Sequence, residues 1–128
     1  MIILDHNIPE DQAHSLQRRR VHYRQIGFEV GRPEWDDQQE ILRYLHATKQ
    51  ITFFTRDLGF FRAPLRHANY CLVALTVPVL ETADYIAKFL RHPHFNTRAK
   101  RNGKVIKVST KSINFWAIGR QQHGTVRW

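Results

Sequence analysis

The chain has 128 residues, 42% hydrophobic and 24% charged, which fits one folded domain with its own core and excludes wholesale disorder. No apolar run approaches the length of a membrane span, and the lone Cys71 lies within the longest run, so a buried thiol in a reducing cytoplasm is expected rather than a disulfide framework. The net charge of +9 is unevenly carried: residues 1–84 hold ten Lys/Arg and all eleven acids, whereas residues 85–128 hold ten Lys/Arg and no acid, which points to a polyanionic partner, nucleic acid before acidic protein.

In chain order, "MIIL" reads as a buried strand ending at Asp5. Pro9 stands near a helix start with Glu10 and Asp11 in the first turn, and Ala13, Leu16, Val21 and Ile26 predict a helix that closes at Gly27. "FEV" reads as a second strand, closed by Gly31 and Pro33. Between Asp37 and Lys49, the spacing of Ile41, Leu42, Leu45 and Ala47 predicts an amphipathic helix. "ITFFT" is a third strand running into Arg56 and Asp57, "YCLVALTV" is a fourth, and Ala83, Ile86, Ala87, Phe89 and Leu90 mark a further helix. "AKRNGKVIKVSTKSINFW" then reads as a basic turn at Asn102-Gly103 followed by one or two strands. The last ten residues, "GRQQHGTVRW", have little periodicity and are expected to form a loose tail over 119–128. Strands alternating with helices predict a single α/β domain over 1–118, with a mainly parallel central sheet flanked by helices and a basic C-terminal β extension.

In a parallel sheet, functional groups gather outside the carboxyl ends of the strands. Asp5 follows the first strand directly and Asp57 follows the third by two residues, so both are expected at the same rim. The loop after the second strand supplies Glu34, Asp36 and Asp37, with Glu40 one turn into the helix. Three segments bringing carboxylates to one edge would repel one another without a cation, and carboxylates with water are what Mg²⁺ or Mn²⁺ prefers. Bland roles stand beside this one. Asp37-x-x-Glu40 also has the form of a capping box, and Asp57 also suits the cap of a short helix through "LGFFRAPL".

The stretch "ILDHNIP", the acidic helix start "DDQQEIL" and then "ITFFTRDLGF" resemble, over residues 1–76, the small PIN-like domain family. The resemblance implies a PIN-like three-layer fold and a metal-dependent nuclease, with many relatives acting as the ribonuclease toxin of a toxin–antitoxin pair. It implies Asp5, Asp37, Glu40 and Asp57 as catalytic residues, and Asp5, Asp37 and Asp57 as ligands of Mg²⁺ or Mn²⁺. RNA is the implied substrate, a cognate antitoxin the implied protein partner, and a homodimer is compatible with it. The sequence departs from the family pattern at His6, where relatives often carry an acid, and in having no acid after Asp84.

Arg98, Lys100, Arg101, Lys104, Lys107 and Lys111, with Phe95, Phe115 and Trp116 among them, form a cluster suited to phosphate contact with some base stacking. Arg56, beside Asp57, is a further candidate for phosphate contact, with a structural ion pair as the alternative. His92-Pro93-His94 reads as a helix terminus rather than part of a zinc set, and Arg18-Arg19-Arg20 as a solvated face. The leading expectation is a cytoplasmic, metal-dependent endoribonuclease. A non-catalytic RNA- or protein-binding module with a degenerate PIN-like site is the alternative, and a DNA nuclease a third.

Overall fold

A computed structural model describes residues 1–32 and 38–128 of the chain. Seven strands form one sheet in the order β2-β1-β3-β4-β5-β6-β7. They are β1 (Ile2–Leu4), β2 (Arg24–Gln25), β3 (Ile51–Thr55), β4 (Tyr70–Leu75), β5 (Lys104–Val108), β6 (Ser112–Ala117) and β7 (Gly124–Arg127). The pairs among β1 to β5 are all parallel, and β6 and β7 add antiparallel. The helices are α1 (Glu10–Arg18), α2 (Gln38–Thr48), α3 (Thr82–Arg91) and the one-turn α4 (Arg98–Arg101). The chain is thus a small α/β domain with a mixed, mostly parallel sheet flanked by helices. None of the helices among the described residues is long and apolar enough to cross a membrane.

Strands β3 and β4 are buried at every position, because helices cover both faces of the sheet there. On one face Leu4, Phe54, Val73 and Ile106 pack against Leu16 of α1 and Ile86 and Phe89 of α3. On the other, Ile3, Phe53, Leu72 and Val105 pack against Ile41 and Leu45 of α2 and against Phe60. Cys71 is fully buried on the first face, and burial pushes its thiol up to about 12, so it stays protonated as a small core side chain.

Three expectations are corrected. The first helix ends at Arg18, not at Gly27. Arg20 adopts φ 63°, Arg20 N–H donates to Gln17 O and Val21 N–H donates to Leu16 O, both at 3.0 Å. That is a Schellman stop with arginine in the left-handed position where glycine is usual. The second strand is Arg24–Gln25, and "FEV" contributes only a bridge from Val30 to Ile26, with Gly27 (φ 89°) turning the chain between them. Finally, the expected tail over 119–128 carries β7. Gly124 makes that pairing feasible: a Cβ there would come within 2.4 Å of the Phe115 ring, which lies across it.

The basic turn at Asn102-Gly103 is present and is followed by two strands, β5 and β6. It joins α4 to β5, with Gly103 at φ 82°, and the hairpin comes later, at Ser109–Lys111, held by the Ser109 hydroxyl.

Candidate active site

The order of the parallel strands reverses at β1, which has β2 on one side and β3 on the other. The crevice outside the carboxyl ends of β1 and β3 is therefore the topological switch point, where open α/β sheets bind their ligands. Asp5, His6 and Asn7 leave β1 there, and Arg56 and Asp57 leave β3.

Thr55, the last residue of β3, ties the two exits together. Its hydroxyl donates to Asp5 Oδ2 at 2.6 Å and accepts from Asn7 Nδ2 at 3.1 Å and from Asp57 N–H at 3.0 Å. One donor and two acceptor positions are all a hydroxyl has, so Thr55 is fully used. Asn7 Oδ1 accepts from Arg56 N–H at 3.0 Å, closing the link in the other direction. Asp5 Oδ1 accepts from His6 N–H at 2.8 Å, and His6 Nδ1 lies at the same distance from it. Below them the buried Gln25 of β2 donates through Nε2 to both Asp5 O and Ile8 O, at 3.0 Å each. The carboxylate of Asp5, 2% exposed, is a built part of the rim and caps no helix; α1 follows Pro9, which gives it no side-chain cap.

Asp57 is exposed and caps the 3-10 turn Leu58–Phe60, its Oδ1 accepting from Gly59 N–H at 2.8 Å. The capping role foreseen for it is thus present, with Oδ2 uncommitted among the described residues. Gln38, the first residue of α2, reaches the same turn: a Cβ on Gly59 would stand 3.0 Å from Gln38 Nε2 and 3.0 Å from Asp57 Oδ1. The start of α2 therefore sits beside Asp57. Asp37, with Glu34 and Asp36, lies outside the described residues.

Glu40 lines a groove with Arg43, Tyr44 and Ala47 on α2. It does not complete a cation site with Asp5 and Asp57, since no three His, Cys, Asp or Glu among the described residues are placed to hold a metal ion together. Arg56 turns inward: its guanidinium donates to Thr82 Oγ1 at 3.0 Å and to Val77 O at 2.8 Å, fastening the end of β3 to the start of α3. Of the two roles weighed for Arg56, a structural one is present, made with neutral oxygens instead of an ion pair.

The basic cluster divides. Arg98, Lys100, Arg101 and Lys104 sit on α4 and at the first residue of β5, hence at the amino ends of the strands, opposite the rim. Arg101 donates to Thr52 Oγ1 and Phe95 O at 2.9 Å each, and Lys104 Nζ donates to Lys100 O. Half-burial lowers the pKa of both Arg101 and Lys104. Only Lys107 and Lys111 lie toward the carboxylate end. Arg101→Ala is accordingly expected to cost about 1–3 kcal/mol of stability through two lost charge-assisted bonds. RNA affinity should stay within about twofold of the parent; urea unfolding and anisotropy on a short RNA check the two halves.

His92 and His94 belong to the C-terminal stop of α3: His92 Nε2 lies 2.8 Å from Arg127 O, and His92 Nδ1 accepts from His94 N–H at 3.1 Å. Sequence reasoning missed Thr55, Asn7 and Gln25 as working parts. Their signal was weak, a threonine and two amides with no charge to draw notice. Compared with protein-family models, curated proteins and solved structures, the chain matches none.

Proposed function

We propose that the chain is a metal-dependent endoribonuclease that hydrolyses RNA phosphodiester bonds at the switch-point rim, with Asp5, Asp37 and Asp57 as ligands of Mg²⁺ or Mn²⁺. One observation carries the reading: Asp5 and Asp57 leave the ends of adjacent parallel strands, and a single hydroxyl, Thr55 Oγ1, joins the Asp5 carboxylate to the Asp57 backbone N–H. The donor set is all oxygen, which suits a hard cation. The two described carboxylates fall short of a full set by number, and the sequence places Asp36 and Asp37 directly before the α2 residue that abuts Asp57. A divalent cation there would supply a polarised phosphate and an activated water. The chain's own part is orientation. Thr55 fixes the Asp5 carboxylate, Gln25 fixes the turn beneath it, and Asp57 is exposed with Oδ1 held by Gly59 N–H. A cognate inhibitor protein, as in toxin–antitoxin pairs, belongs to the same proposal.

The binding-module alternative also has support. Both Asp5 oxygens already accept from protein donors, and two guanidinium nitrogens of Arg56 are engaged with Thr82 Oγ1 and Val77 O. Incubation of the purified chain with single-stranded RNA separates the two. Cleavage with Mn²⁺ that stops with EDTA is expected of the nuclease; RNA retained intact under both conditions is the outcome for the module.

A further inference from the structure

The parallel register carries a single row of residues across the sheet. Thr55 pairs with Ala74, Ala74 with Lys107, Lys107 with Asn114 and Asn114 with Thr125. Residues in register point to the same face; Thr55 and Ala74 are buried there, and the row reaches the surface from Lys107 onward, continuing onto the antiparallel extension. Strands are about 4.8 Å apart, which puts Lys107 roughly 10 Å and Asn114 roughly 14 Å from Thr55 along it.

The extension offers on this face what a single strand needs. Asn114, Trp116 and Phe61 are half-exposed, Thr125 and Arg127 exposed. Lys107 Nζ stands 5.4 Å from the centre of the Phe61 ring, and Arg66 lies 6.0 Å from that of Trp116. Among the described residues neither Lys107 nor Arg66 has a carboxylate partner; their company is aromatic, and no acid occurs after Asp84. Arg66 is built in, donating to Ala117 O at 3.0 Å and to Ala63 O at 2.7 Å, which holds Trp116 and the turn after it in place. Asn114 Oδ1 accepts from Thr125 Oγ1 at 3.0 Å, leaving the amide N–H groups to donate outward.

Cations set against rings on an open sheet face match the backbone-plus-base chemistry of an unpaired strand, whose bases are free to stack. We infer that the face of β5, β6 and β7 bearing Lys107, Asn114, Trp116 and Arg127 is a docking platform for single-stranded RNA. The choice of RNA rests on the nuclease reading; the platform itself does not.

The test is anisotropy of a labelled 12-nucleotide RNA in EDTA, so that binding is read without cleavage, alongside the same DNA strand and the RNA duplex. Trp116→Ala is expected to weaken binding about tenfold or more. Lys107→Gln with Arg127→Gln should flatten the salt slope by roughly 0.7 for each lost phosphate contact. Trp116→Phe should keep most of the affinity, which separates stacking from misfolding, and Lys100→Gln, at the far end of the strands, should change nothing. Parent-like affinity in both Trp116→Ala and the double variant would overturn the platform even if the parent cleaves RNA. Platform-dependent binding by a parent that cleaves nothing would uphold it while removing the nuclease. Equal or tighter binding of duplex or DNA would overturn the assignment to single-stranded RNA.

Discussion

Asp57→Asn is expected to reduce Mn²⁺-dependent RNA cleavage by at least about 100-fold, the upper end of what loss of even a supporting group costs a metal site. Its fold should survive. Asp57 is exposed, and an asparagine still offers an oxygen to Gly59 N–H, so stability should change by no more than about 0.5 kcal/mol. Asp5→Asn is expected to lose activity as fully but to cost stability too, roughly 1–3 kcal/mol, because a buried acceptor of the Thr55 hydroxyl and the His6 amide is altered. Activity of each variant, read beside its urea midpoint, distinguishes chemistry from folding. Parent-like cleavage by Asp57→Asn would remove that carboxylate from the reaction.

Thr55→Val should be the most damaging isosteric change at the rim. It deletes the donor to Asp5 Oδ2 and the acceptor of two further bonds while keeping the volume. A buried carboxylate oxygen then has lost a charged hydrogen bond, which costs about 3 kcal/mol and, in a domain of this size, roughly 10 °C in Tm. Thr55→Ser retains the hydroxyl and should recover most of it. A Thr55→Val protein that melts with the parent would show that the two strand exits do not depend on this link.

Much of the fold could be read from residues 37–90, where each element states its own period. "ITFFT" and "YCLVAL" are apolar on both sides because helices cover both faces, and Ile41 and Leu45 mark the buried stripe of α2. The stop after Arg18 was hidden because the left-handed position holds arginine instead of glycine, and the first glycine beyond, Gly27, serves a different turn. β7 was hidden because an edge strand buries little, so "GTVR" alternates too faintly to stand out from a tail. The rim itself was visible in Asp5 and Asp57, since each follows a strand. The end of the sheet at which the basic cluster stands could not be read from the sequence, for a reason of topology. A segment that precedes a parallel strand, as Arg98–Arg101 precedes β5, lies at the end opposite to one that follows. Density of charge along the chain carries no information about which end that is. Trp116 and Arg66 meet across 50 positions, and only the sheet brings them together.

The central claim is that the switch-point carboxylates hold a divalent cation, and a Mn²⁺ titration followed by electron paramagnetic resonance tests it without relying on cleavage. The free-ion signal should fall as the parent takes up Mn²⁺, with Mg²⁺ competing for the same site, and both Asp5→Asn and Asp57→Asn should lose that uptake. A parent that leaves the free Mn²⁺ signal undiminished, or an Asp5→Asn/Asp57→Asn double variant that binds as the parent does, would contradict it.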